Sequence, residues 1–310
     1  MEILAGAKIN LGLDVVRRRS DGYHEVRMIM QTVSLFDRLE MRISGSGGIH
    51  LHISGADLPA DDTNLVYRAC DLLIKEFGIS SGVEISLEKN IPMAAGLAGG
   101  SADAAAALKG MNVLFSLGLS PEQLAERGIM LGADVPYCLL GGTALAEGIG
   151  EVLTPLPDLP DCHILIAKPE DTVSTPWAYK SLCMDENGIC HLKRNSSDAE
   201  DETGKEAGDI CHPDISGMTK AVLEGSLDGV LQRIGNMLEL SSIPAHPVIR
   251  TIKQQIRDTG ADGVLMSGSG PSVFGIFKEE EAAQNAFRSL RDSGAVQNCF
   301  LTRPLGRKEW

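Results

Sequence analysis

Short apolar runs set among small residues over the first sixteen positions predict an opening strand. A polar stretch follows, Arg17-Arg18-Arg19-Ser20-Asp21-Gly22-Tyr23-His24-Glu25, with Ser-Asp-Gly as its turn signal. Strand-like patterns return over 26–44 and 49–54. Asp61-Asp62-Thr63-Asn64 then offers cap residues ahead of Leu65 to Phe77, whose apolar spacing suits an amphipathic helix. Val83 to Leu87 predicts a strand, 90–100 a loop rich in Pro and Gly, and Ser101 the start of an Ala-rich helix running to about Phe115. Ser120-Pro121-Glu122 begins another helix, with Ser as N-cap and Pro at the first helical position. Gly141-Gly142 turns into a strand through Ala146.

Thr154 to Pro160 carries prolines at 155, 157 and 160 and marks the expected boundary between an N-terminal domain, 1–156, and a C-terminal one, 157–310. Beyond it the pattern predicts a strand over Cys162 to Ala167, helices over 216–240, 245–258 and 279–292, and strands over 263–266, 273–277 and 297–303. Residues 194–214 are polar, acidic and nearly without apolar side chains, which predicts a mobile insertion that cannot offset its ordering entropy. No internal repeat is visible.

Composition narrows the function classes. An apolar fraction of 43% and a charged fraction of 23% are those of a soluble chain. With 28 basic and 42 acidic side chains, the net charge of −14 argues against a nucleic-acid binder, which needs a positive footprint. It leaves room for a nucleotide substrate, since a local pocket can oppose the global charge. Seven Cys with no C-x-x-C read as reduced thiols, and Cys190-His191 with Cys211-His212 make at most a weak metal cluster. No run of eighteen apolar residues is present, and the first ten residues lack the apolar core of a signal peptide, so a cytoplasmic protein off the membrane is expected.

Four segments carry chemistry. The first is Pro92-Met93-Ala94-Ala95-Gly96-Leu97-Ala98-Gly99-Gly100-Ser101-Ala102-Asp103. Its glycines let backbone approach a ligand, and it feeds a helix N-terminus where unpaired N–H groups favour anions, so it reads as a polyphosphate cradle or as a tight turn packing helix on strand. It is neither a Walker A loop nor a Rossmann fingerprint. The second is Ala7-Lys8-Ile9-Asn10-Leu11-Gly12, a Lys inside an apolar strand. Alternation places Lys8, Asn10 and Gly12 on one face, with a snorkelling surface Lys as the plainer reading. The third, Gly132-Ala133-Asp134-Val135-Pro136, sets one carboxylate among small residues, either a partly buried base or a turn or N-cap Asp. The fourth, Ser267-Gly268-Ser269-Gly270-Pro271-Ser272, is a second glycine loop or a plain hairpin turn.

Together, and in their order along the chain, these four segments resemble the GHMP small-molecule kinases across almost the whole chain. The element Asp21-Gly22-Tyr23-His24-Glu25 followed by Gln31-Thr32-Val33-Ser34-Leu35-Phe36-Asp37 is similar to the branch whose alcohol is a methylerythritol bearing a cytidine diphosphate; homoserine- and mevalonate-type kinases are the alternative. The resemblance implies an α+β two-domain fold, ribosomal-protein-S5-like in its N-terminal half and ferredoxin-like in its C-terminal half, with the site between. It implies transfer of the ATP γ-phosphoryl to the 2-hydroxyl, with Asp134 as base and Lys8 lowering the pKa of that hydroxyl and stabilising the migrating phosphoryl. Asn10 would orient the alcohol. The triphosphate would rest on the loop from Pro92 to Ala102, and the adenosine on Asn64, Val66, Lys89 and Asp103. Cytosine would be read by Tyr23 and His24 and stacked by Tyr179, with Thr175 and Pro176 lining its pocket. Some members of the family carry a second Ser where this chain has Ala102, so a hydroxyl ligand for Mg²⁺ falls to Ser101 or to water. A monomer or homodimer is expected.

Overall fold

The structure, a computed structural model, describes residues 1–190, 212–294 and 296–309. Most of the expected insertion over 194–214, and His191 and Cys211 of the two Cys-His pairs, lie outside the described residues.

Two long strands organise the first sheet. β1 (Glu2–Arg18) and β2 (His24–Ser44) pair antiparallel around the polar turn, where the Asp21 carboxylate accepts from the Tyr23 N–H at 3.1 Å. Register shifts between Gly6 and Lys8, Asn10 and Gly12, and Val15 and Arg17 bend the ribbon. β3 (Ile49–Ser54) and β4 (Gly82–Glu88) extend it on one side, giving the order β3-β4-β2-β1. β5 (Thr143–Glu147) pairs with a bent-away part of β2 and carries β6 (Val152–Pro155).

The helices α1 (Leu65–Phe77), α2 (Gly99–Leu114), α3 (Pro121–Gly128) and α4 (Val135–Leu140) cover this sheet. α2 packs on β1 and β2 and against α1 and α4, and its run Ala104 to Ala107 is buried. Small residues let it lie close: a Cβ on Gly110 would meet the Met41 sulfur at 2.3 Å and Ile3 Cδ1 at 2.7 Å. The helix begins at Gly99, two residues before the expected start at Ser101, so Gly99 and Gly100 belong to its first turn.

A second sheet holds β7 (His163–Lys168), β9 (Gly263–Met266), β10 (Val273–Phe277) and β11 (Asn298–Thr302), all antiparallel in the order β11-β7-β10-β9. α9 (Val248–Asp258) and α10 (Glu280–Ser293) pack on it, and α5 (Thr175–Ser181) contacts α8 (Glu239–Ala245). The single helix expected over 216–240 is instead α6 (Ile215–Leu223), α7 (Leu227–Leu231), a two-residue strand β8 (Gly235–Asn236), and the start of α8 (Glu239–Ala245). Gly225 adopts a left-handed φ of +65° and the Ser226 hydroxyl accepts from the Gly229 N–H at 3.1 Å, which ends one helix and caps the next. β8 then joins the first sheet parallel to β1, pairing Gly12 with Gly235.

Gly12 also departs from simple alternation. The bulge beside it turns its Cα away from the Lys8 and Asn10 face, and a Cβ there would meet Ile215 and Met218 of α6. The chain end returns to β2, where Leu305 N–H donates to Thr32 O at 2.9 Å and Pro304 bridges to Val33. Among the described residues no helix is long and apolar enough to cross a membrane.

Candidate active site

A cleft of about 1170 Å³ opens beside β1, bounded by the 90–98 loop, the start of α4, α5 and the hairpin loop between β9 and β10. That volume exceeds the roughly 300–1,000 Å³ of ordinary small-ligand pockets and has room for two substantial ligands. Lys8, Arg18, Lys89 and Lys180 line it together with Asp21, Asp103 and Asp134, so charges of both signs meet there. Every residue expected from the sequence to act in catalysis or to bind ATP or the alcohol lines this cleft except Val66 and Ala102. Val66 faces the core with no exposed surface, and Ala102 is buried in α2 with its N–H already given to Ala98 O at 2.9 Å.

Lys8 is not a snorkelling surface side chain: it is 4% exposed. Its ammonium donates to Asn10 Oδ1 at 2.6 Å and to Gly96 O at 3.0 Å, tying β1 to the glycine loop. Asn10 therefore braces the lysine as well as facing the cleft. Burial pulls the Lys8 pKa down, and the negative charge of Asp134 acts against that shift. Asp134 occupies the N-cap position of α4, yet its side chain caps no backbone N–H. The carboxylate thus faces the cleft without the structural duty its position suggested.

The loop before α2 is held in a costly backbone shape. Ala94 and Ala98 sit at φ of +47° and +56°, a region that costs L-residues about 1–3 kcal/mol each. Gly96, at +72°, passes so close to the second glycine loop that a Cβ would stand 2.1 Å from Ser267 O. Its carbonyl accepts from the Ser267 hydroxyl at 2.9 Å as well as from Lys8, and Lys8 N–H donates to Leu97 O at 3.0 Å. Ala98 has no side chain with which to cap, so the first N–H groups of α2 are left to a ligand. Ser267 to Ser272 is the β9–β10 hairpin loop, and it also touches the loop before α2 through the Ser267 hydroxyl.

Under the loop lies a buried charge cluster that sequence reading saw only in part. Lys89 donates to Asp103 Oδ2 at 2.6 Å and to Asp37 Oδ2. The other oxygen of Asp37 accepts the N–H groups of Asn90 at 2.5 Å and Ile91 at 2.8 Å, fixing the stem of the loop. Burial, followed in the same direction by the Asp37 charge and opposed by Lys89, pushes the Asp103 carboxyl up to about 8. The Asp103 Oδ1 is buried without a hydrogen-bond partner. A carboxyl with a higher pKa folded than unfolded takes up a proton on folding, so its stabilisation falls as pH rises from the unfolded value near ~4 to about 8. Asp103→Asn, which mimics the neutral acid, is expected to flatten the decline of melting temperature between mildly acidic and mildly alkaline buffer. An unchanged slope would assign it to other groups.

Asn64 caps α1, accepting from Val66 N–H at 2.9 Å. At the far end, the His24 and Tyr179 rings stack at 5.4 Å with planes 28° apart, too close for a base to enter between them. Burial, with the Arg18 charge, lowers the His24 pKa. Tyr23 is 60% exposed at the cleft mouth. Thr175, with Pro176 beside it, shares a hydroxyl contact of 2.9 Å with Ser269. Asn236, expected inside a helix, instead donates to Met266 O at 2.8 Å and Gly268 O at 2.7 Å, holding the second glycine loop.

A buried lysine, a carboxylate and a helix N-terminus behind a strained glycine loop are the parts of a phosphotransferase, where positioning and charge neutralisation do most of the chemistry. Residues 64–142 match the family model of the GHMP kinases N terminal domain and 218–296 that of the GHMP kinases C terminal domain. The chain belongs to the GHMP kinase family, and its co-substrate is ATP. It is 45% identical to a 4-diphosphocytidyl-2-C-methyl-D-erythritol kinase of Lachnospira eligens, over 97% of each chain. It is 41% identical to the enzyme of the same name from Listeria monocytogenes, over 100% of this chain and 97% of that one. Among solved structures it resembles a 4-(cytidine 5'-diphospho)-2C-methyl-D-erythritol kinase, with TM-score 0.76, 35% identity and coverage of 99% and 100%. A homoserine kinase from Cytophaga hutchinsonii, at TM-score 0.73, 22% identity and coverage of 99% and 94%, shares the fold.

Proposed function

We propose that this kinase transfers the γ-phosphoryl of ATP to the 2-hydroxyl of 4-diphosphocytidyl-2-C-methyl-D-erythritol. The observation that carries this reading is one cleft with two chemically different ends. The glycine loop and α2 N-terminus form an anion cradle at one end, and Tyr23, His24 and Tyr179 form an aromatic wall at the other. Lys8, bonded to the loop through Gly96 O, and Asp134, whose charge acts on both Lys8 and Tyr179, line the same cleft. Asp134 takes the hydroxyl proton as the new O–P bond forms, and Lys8 faces the charge that develops on the transferred group. The main-chain N–H groups of the loop and first turn hold the phosphates. Cytosine stacks on the outer face of the His24–Tyr179 pair, with Tyr23 folding down over it and Thr175 and Pro176 beside it; stacking of this kind is worth roughly 1–3 kcal/mol per base.

The described residues contain no group of three or more His, Cys, Asp or Glu disposed to hold a metal ion. Mg²⁺ would be carried mainly by nucleotide phosphates and water, and a protein hydroxyl ligand, if one is used, would be Ser101 in the first turn of α2. When bound, it neutralises phosphate charge.

The test is ADP release with ATP and each of three alcohols. Turnover with the cytidylylated methylerythritol, and none above background with homoserine or mevalonate, is expected. Preference for either smaller alcohol would replace this reading with that of another branch of the family.

A further inference from the structure

The candidate base and the candidate lysine belong to different elements, and a buried polar network outside the cleft joins the helix that starts at Asp134 to β2, the strand paired with the lysine's β1. Thr32 of β2 stands directly opposite Lys8 in the β1–β2 register. Tyr137 lies one turn after Asp134 in α4. The Tyr137 hydroxyl donates to Gly142 O at 2.7 Å and stands 3.0 Å from the Thr32 hydroxyl, which with that proton committed is the donor to it. The Thr32 N–H donates to the same Gly142 carbonyl at 3.0 Å. Gln31 completes the set, accepting from the Thr143 hydroxyl at 2.6 Å and donating to Thr32 O at 2.7 Å and to Leu305 O of the returning chain end at 3.0 Å. None of these four side chains is more than 2% exposed.

A buried, fully engaged polar network in an otherwise apolar core specifies geometry more than it adds stability. An apolar contact at this place would hold α4 near β2 but would allow it to slide; two hydroxyls and a shared carbonyl do not. Burial keeps the Tyr137 phenol protonated and therefore a donor. No side chain of the network lines the cleft, so none meets a substrate.

We propose that Tyr137 and Thr32 are positioning residues for phosphoryl transfer: their hydroxyl pair locks the helix that starts at Asp134 to the strand position facing Lys8, and so sets the spacing of the two groups that act on the alcohol. This rests on the functional reading above. The lock acts on the placement of α4 and so of Asp134, whereas Lys8 is held separately by Asn10 and the glycine loop, so the nucleotide cradle stays undisturbed.

Tyr137→Phe, Thr32→Val, Thr32→Ser and the Tyr137→Phe/Thr32→Val double variant of the full chain would be assayed by ADP release with the cytidylylated substrate, alongside thermal melts. The expected result is a fall in kcat of about tenfold to a hundredfold for Tyr137→Phe and Thr32→Val, with KM for ATP within about twofold, since small misplacement of reacting groups is this costly. The double variant should be no slower than the worse single one, because both cut the same link. Thr32→Ser, which keeps the hydroxyl, should recover most of the turnover lost in Thr32→Val. Should Tyr137→Phe fail to fold, the contrast between Thr32→Val and Thr32→Ser decides. Folded Phe and Val variants with unchanged kcat would overturn the inference alone. So would losses in which kcat and both KM values follow the melting temperature. An unmodified protein without turnover would overturn the functional reading and this inference together.

Discussion

Asp134→Asn is expected to lower kcat for ADP release by about 10²- to 10⁴-fold while leaving KM for ATP nearly unchanged. The substitution keeps size and shape but removes the negative charge and the ability to accept a proton. Asp134 caps no N–H of α4, so the fold should tolerate the change, and the melting temperature should stay close to that of the unmodified protein. This separation matters, because the same residue type at the same helix position usually serves as a cap and its loss then appears as lost stability. The measurement is steady-state kinetics paired with a thermal melt. A variant that loses stability and activity in proportion would return Asp134 to the role of a turn residue. One that keeps full activity would remove it from the mechanism.

The second large effect is expected at Gly96. An alanine there must adopt a φ of +72° and place its methyl 2.1 Å from the Ser267 carbonyl oxygen, so one of the two glycine loops has to move. The Gly96 carbonyl also holds Lys8, and the displacement reaches both the phosphate cradle and the lysine. Gly96→Ala should therefore cut kcat/KM for ATP by about a hundredfold, the order expected when a reacting group is misplaced by an ångström. It should also lower the melting temperature. Gly100→Ala supplies the contrast: its methyl would meet Leu65 Cδ1 at 3.6 Å, an ordinary contact, and the melting temperature should not fall. Comparable melting temperatures for the two variants would mean that the close approach of the loops relaxes at little cost.

Much of the site was legible because its chemistry is local. The glycine loop, the Lys in an apolar strand and the Asp among small residues each announce themselves within a dozen positions, and all three line one cleft. Asp37 carried a signal that alternation could have found. It falls on the buried parity of β2, with Val33, Leu35 and Leu39, where a carboxylate must have buried partners. Those partners, Lys89 and the stem of the phosphate loop, lie about fifty residues further on and cannot be seen from the strand itself. Asn236 left less trace. Apolar spacing around it suited a helix, and the glycines at 225, 229 and 235 were the only sign of interruption.

The amino-acid sequence alone marked most of the long strands and helices, the glycine-rich loop and the kind of chemistry to expect, because these depend on periodicity, backbone freedom and residue type over short spans, while the short elements β6, β8, α4 and α5 escaped it. Tertiary structure decided what those residues are free to do. It showed that Asn64 caps a helix and that Val66 and Ala102 face the core. It showed that Asn10 steadies Lys8, and that Tyr137 and Thr32 join two elements more than a hundred residues apart in the chain. A buried polar group takes its role from whichever partner satisfies it, and that partner is chosen by how distant segments pack.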